Sequence, residues 1–204
     1  MNYLSLIVFV VATCGAPGPN NVMIMSSGTT YGLRRSLDHA IGINVGFPLM
    51  TIAIGLGLGE VLREWPGVYD VLRPIGAAYL IYLAYRIAMT RVSAESVADR
   101  RPLTLLQGAF FQLVSPKSWV MIIGAIGTYA TATGDNFTQT LIISLIFLVF
   151  GTPCTLAWLA AGVLLKGAVS RPRRLRAFNV GMASLLMLTL IPVFAEIVKE
   201  NVVS

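Results

Sequence analysis

Ionised side chains are scarce in this sequence. Of 204 residues only 12% are charged, against about 25% in ordinary soluble domains. A chain so poor in charge is a poor fit to a water-facing globule. Histidine occurs once and cysteine twice, at Cys14 and Cys154, with no CxxC spacing. One histidine and two separated cysteines make no metal-ligand set. They also leave hydrolytic chemistry without the base or metal it needs. No metal and no cofactor is therefore expected, and both cysteines, lying in apolar runs, read first as small buried residues.

What the chain has is apolar sequence. It is 56% hydrophobic, with a mean hydropathy of +0.77. The apolar residues fall in six runs at residues 3–28, 37–62, 67–90, 103–131, 137–165 and 175–198. Each is long enough for the roughly 20 residues that a spanning helix needs, and longer than the 10–14 of a buried soluble helix. The expected architecture is all-α and multi-pass, one integral membrane domain over residues 1–204. The start, MNYLSL, has no positive segment, so run 1 reads as a span rather than a cleaved signal.

The net charge of +6 is distributed as topology signals, not as a nucleic-acid surface. Arg34 and Arg35 separate runs 1 and 2. Arg86, Arg91, Arg100 and Arg101 lie at or in the connection of runs 3 and 4. Lys166, Arg171, Arg173, Arg174 and Arg176 lie at or in the connection of runs 5 and 6. The opposite side carries Arg63, Arg73 and Lys199, together with most of the acids: Glu60, Glu64, Asp70, Asp135, Glu196 and Glu200. The positive-inside rule puts the basic connections in the cytoplasm and both termini outside. Contacts with lipid headgroups suit the basic loops; a nucleic-acid partner is not expected.

The runs also suggest two inverted three-helix repeats, about 1–100 and 101–204. Pro17 and Pro19 interrupt run 1, and Pro116 interrupts run 4. Pro48 in run 2 matches Pro153 in run 5, and Gly76 in run 3 matches Gly181 in run 6, each 28 residues after its proline, whereas the first spacing differs, 31 residues from Pro17 to Pro48 against 37 from Pro116 to Pro153. Chance prolines and glycines, common in membrane helices, are the competing explanation. Inverted repeats with paired broken helices are a construction of secondary transporters, which bind substrate at the breaks.

The stretch GAPGPNN in run 1 reads as a helix that stops near Cys14 and restarts at Pro19. SPKSW in run 4 reads likewise, with Ser115 as N-cap and Pro116 as first helical residue. Helices 1 and 4 are thus expected to be broken at mid-membrane. Each restart offers N–H groups suited to a carboxylate. The ends of the first half-helices, near Thr13 and Val114, offer carbonyls suited to an ammonium group. Exposed backbone of this kind is tolerated at depth where it lines a cavity.

Lys117 lies about 14 residues into run 4, roughly 20 Å from its start, too deep to snorkel. An intramembrane charge marks a functional-site candidate. Two roles stay open: holding a substrate carboxylate, or a structural clamp satisfied by backbone carbonyls and Gln112. The candidate substrate-binding set is Pro17, Gly18, Pro19, Asn20, Asn21, Gln112, Ser115, Pro116 and Lys117. Asn20, Asn21 and Asn44 can equally be polar glue between helices. Asp38 and His39 are candidates for proton coupling or a gate, or else solvated interfacial groups. The sequence Gly42-Ile43-Asn44-Val45-Gly46 has the GxxxG form, which leaves a homo-oligomer open.

At these residues the sequence resembles the LysE/RhtB family of bacterial amino-acid exporters. The resemblance is carried by Ala16 to Asn21, Ser26-Ser27-Gly28, Tyr31 to Arg35 with His39, Gly76 to Leu80, and Gln112 to Trp119. It implies a bacterial inner-membrane protein that exports amino acids using the proton-motive force. The PGPNN and GAAYL wording is most similar to the cysteine and O-acetylserine branch. Family members often carry Asn-Pro-Lys-Ala where this chain has Ser115-Pro116-Lys117-Ser118. Proline and lysine match; a side-chain amide role at Ser115 does not carry over. With Lys117 in the site and no deep carboxylate, a second positive charge on the substrate would be unpaired, so small neutral amino acids are expected. The alternative is a thiol–disulfide electron shuttle built on Cys14 and Cys154, although Cys154 lies in run 5 rather than at the break in run 4.

Overall fold

The computed structural model describes residues 2–58, 78, 81–85, 87–89, 102–131, 135–168 and 172–188. Seven α-helices are bounded within them: α1 (Tyr3–Gly15), α2 (Pro19–Tyr31), α3 (Leu33–Ala53), α4 (Leu105–Val114), α5 (Pro116–Tyr129), α6 (Asn136–Ala168) and α7 (Pro172–Leu188). A wide helical turn, Ile54–Leu58, extends α3, and there is no strand among the described residues. Most of run 3 with its Gly76, the far end of run 6, Arg63, Arg73, Arg86, Arg91, Arg100, Arg101 and Arg171 lie outside the described residues.

The helix ends follow their local chemistry. The Asn2 side chain accepts from Ser5 N at the start of α1. Thr104 and Gln107 cap each other reciprocally at the start of α4. Gly32, with φ +79°, turns the chain between α2 and α3 in a conformation that glycine adopts without strain. Asp135 accepts from Thr138 N ahead of α6. Hydrogen bonds from Thr138, side chain and then backbone, hold that exposed carboxyl below the usual aspartate range.

The burial pattern is inside-out relative to a soluble protein. Ser27, Thr51, Gln112, Ser115, Ser118, Thr140, Ser144 and Asn179 are buried, as is the ring of His39. Leu4, Val8, Leu49, Leu106, Phe110, Val120, Leu145 and Leu164 are exposed. Polar atoms cluster inside while apolar surface faces out, as lipid requires. Two helical stretches, Leu33–Gly57 and Asn136–Gly167, are each long and apolar enough to cross a membrane. Two bent pairs, α1 with α2 and α4 with α5, also qualify when each is taken as one span.

The closest helix pairings cross the chain: α2 packs along α6 and α3 along α4. Both depend on small residues. A Cβ added at Gly42 would collide with the Leu105 carbonyl, and one at Gly46 would lie 2.5 Å from Ala109 Cα. Gly28 and Gly162 stand in the same relation to Leu159 and Met25. The GxxxG form therefore serves packing within the chain. At Gly181 an added Cβ would meet no described residue within 4 Å. Apolar packing of α1, α3, α5 and α6 closes one end around Leu6, Val10, Phe47, Ile122 and Ile143.

Candidate functional site: a cleft between two helix breaks

The α1–α2 pair bends by 54° across Ala16-Pro17-Gly18, and the α4–α5 pair by 69° at Ser115. Proline causes both interruptions. It supplies no N–H and clashes with the preceding turn, yet it suits the first position of a new helix. Pro19 and Pro116 each occupy that position. The Ser115 side chain accepts from Ser118 N, capping α5.

The two breaks meet through side chains. Lys117, the second residue of α5, donates from Nζ to Ala16 O at 2.6 Å, with Pro17 O at 3.5 Å. Its ammonium thus sits at the C-terminal end of α1, where the helix dipole favours a cation. Gly18 makes room for it: an added Cβ would lie 2.7 Å from Lys117 Cδ. Asn20 and Gln112 form a reciprocal amide pair. Asn20 Nδ2 donates to Gln112 Oε1 at 2.8 Å, and Gln112 Nε2 donates to Asn20 Oδ1 at 3.2 Å. Gln112 is fully buried; it also donates to Gly108 O and accepts from the Ser118 hydroxyl.

Asn21 Nδ2 donates to both Cys14 O and Ala16 O at 2.8 Å. Trp158 Nε1 donates to Gly15 O. The carbonyls at the end of α1 are therefore engaged by Asn21, Trp158 and Lys117. At the other break, Trp119 Nε1 donates to Leu113 O at 2.7 Å.

The cleft enclosed by these groups has a volume of about 50 Å³ and is also lined by Cys14, Asn44 and Thr155. Lys117 lines this narrow cleft. Asn44 donates to Ala40 O and accepts from Thr155, joining α3 to α6. Pro17, Gly18, Pro19, Asn20, Asn21, Gln112, Ser115, Pro116 and Lys117 are thus brought together at the two breaks. Asp38 and His39 are not. Asp38 is exposed, whereas His39, expected among solvated interfacial groups, is fully buried against Ser27. The turn between α2 and α3 tucks its ring inward. Cys14 and Cys154 are free thiols, and Cys154 packs against Val11 O of α1.

Ser118 and Trp158 also bond the break residues, and neither was among the candidates. Ser118 follows the lysine directly and had a visible signal; Trp158 had none, because its partner lies far away in the chain.

Replacing Gln112 with leucine is expected to leave the Asn20 amide and the Ser118 hydroxyl unpaired. Each buried orphan costs about 1–3 kcal/mol. The melting midpoint in detergent should fall by several degrees. An unchanged midpoint would show that this network does not hold the breaks together.

A family model described as the LysE type translocator matches residues 11–194. The chain belongs to this family. Among its relatives, cysteine/O-acetylserine efflux proteins of Salmonella choleraesuis (strain SC-B67) and Salmonella typhimurium (strain LT2) are 27% identical, over 91% of this chain and 94% of theirs. An uncharacterized membrane protein of Vibrio cholerae is 23% identical, over 91% of this chain and 92% of its own. No solved structure matches the translocator. On family grounds it is a transport protein of the membrane and not an enzyme.

Proposed function

We propose that this translocator is a secondary exporter of small neutral amino acids or their derivatives. Export across the bacterial inner membrane would be driven by the proton-motive force. The basic connections face the cytoplasm and both termini face outside. Six spans form two inverted repeats, and substrate binds where the broken helices meet. The observation that carries this reading is the Lys117 ammonium of one broken helix resting on the Ala16 carbonyl of the other.

That contact gives the exchange a chemical form. A substrate carboxylate draws Lys117 off Ala16, and the substrate ammonium takes the carbonyls that Lys117 leaves. Both charges of a zwitterion are then matched at opposite helix ends. Asn20 and Gln112 orient the ligand, and the narrow cleft widens to admit it. The two candidate roles of Lys117, clamp and carboxylate holder, become two positions of one side chain. A cationic side chain on the substrate would find no carboxylate among Cys14, Asn44, Thr155 and the break residues. The named activity of the Salmonella relatives points to the same class, since cysteine and O-acetylserine carry no net charge. The pairing of α3 with α4 and that of α6 with α1 are ones that a two-fold repeat would interchange.

Counterflow of labelled amino acids in proteoliposomes tests the proposal. Saturable counterflow of cysteine, serine or O-acetylserine is expected, with arginine excluded. Arginine moving at the rate of serine would refute the neutral-substrate class, and no counterflow of any amino acid would refute export.

A further inference from the structure

A second and larger cavity lies further along α2, toward the end where Arg34, Arg35 and Lys166 lie. Its volume is about 340 Å³, within the roughly 300–1,000 Å³ of small-molecule sites. Ser27 and Thr30 stand seven and ten residues after Asn20. The chamber is therefore about 10–15 Å beyond the break. Its polar wall is Ser26, Ser27, Thr30 and His39. Leu83 and Leu103 supply apolar surface opposite.

Two polar atoms of this wall are buried without a partner among the described residues. His39 is fully buried and bonds Ser27 Oγ through Nδ1 at 3.0 Å, while its Nε2 has no partner among the described residues. Thr30 is 5% exposed, and its hydroxyl has none either. Ser26 bonds Asn179 Oδ1 at 3.4 Å, and the Asn179 Nδ2 behind it is likewise unpartnered. Buried polar groups are ordinarily satisfied, and orphans at the wall of a cavity call for a ligand or water. Helix glue would pair these atoms with each other; here they are left over.

We propose that this chamber is a separate binding site for a small amino acid of zero net charge, where solute is held before it reaches the break cleft. With the Ser27 hydroxyl donating to His39 Nδ1, the imidazole proton lies on Nε2. That N–H and the Thr30 hydroxyl donate to the carboxylate. The Tyr31 ring, which also lines the chamber and carries Arg35 5.6 Å from its centroid, marks the basic side. Arg34 and Arg35 draw the carboxylate toward this end. No aspartate, glutamate, lysine or arginine is among the described lining residues. The chamber is roomier than the cleft at Lys117, about 340 Å³ against about 50 Å³, which suits holding a solute ahead of the break. The ligand's identity rests on the export reading; the existence of the site does not.

The test is alkylation of Thr30→Cys protein in proteoliposomes by N-ethylmaleimide. Peptide-resolved mass spectrometry separates this thiol from Cys14 and Cys154. L-serine is expected to slow alkylation several-fold, L-arginine to leave it unchanged, and the serine effect to persist when Lys117→Met is added. No protection by serine, or protection lost with Lys117→Met, would overturn the proposal, because the effect would then belong to the break cleft. Equal protection by arginine would overturn the ligand class. Ser26→Cys gives the same readout should Thr30→Cys fail to fold. Protection without any counterflow would sustain the chamber while export fails, so the two readings fall separately.

Discussion

Lys117→Met is expected to reduce counterflow of a small neutral amino acid by roughly 10- to 100-fold. The change keeps the side-chain stem over Gly18 and removes the ammonium. A hydrogen bond to a charged group contributes about 1.5–3 kcal/mol, and each 1.4 kcal/mol is a factor of ten in affinity. The fold should tolerate the change, because Ala16 O retains its bond from Asn21 Nδ2 and the Asn20–Gln112 pair is untouched. The informative result is a split: transport falls while the melting midpoint moves by only a few degrees. A large loss of stability with transport intact in the surviving protein would make Lys117 a clamp and nothing more.

Gly42→Val is expected to have the largest structural effect. The new Cβ would meet the Leu105 carbonyl, and backbone cannot swing aside as a side chain can. The α3–α4 packing must open, and α4 carries Gln112 into the cleft and Gly108 against His39. Overpacking costs about 1–3 kcal/mol and occasionally more. For a chain of this size that is on the order of 5–10 °C in melting midpoint, with loss of a monodisperse peak in gel filtration. Gly127→Ala is the control, since no described residue lies within 4 Å of an added Cβ there. Equal behaviour of the two variants would show that the close approach of α3 and α4 is not needed.

The sequence was legible where proline and serine punctuate it. Pro19 opens α2, Ser115 caps α5 and Pro116 opens it, because these residues impose their geometry locally. Partners were not legible. Lys117 bonds a carbonyl 101 residues away, and carbonyls leave no mark in a sequence. Asn20 and Gln112 were each recognisable as candidates, but their pairing across 92 residues was not. His39 was misjudged for a physical reason. Its neighbours Arg34, Arg35 and Asp38 are exposed, yet the helix turns the ring to the inner face beside Ser27. The chamber was missed because hydroxyl residues in a helix are ordinary. The clue was their density, with MSSGTTY as the polar end of an otherwise apolar run.

The length of α6 has a further consequence. It has 33 residues, about 50 Å of helix, well beyond the roughly 30 Å hydrocarbon layer. The rise from Asn136 to Lys166 is about 45 Å, the full depth of a bilayer with its headgroups. Both residues reach polar surroundings in an upright helix. In a thinner bilayer α6 must lean, and α1 and α2 pack directly on it. The angle between the broken helix and its partner is thereby tied to hydrophobic mismatch, and lipid chain length becomes a lever on the cleft.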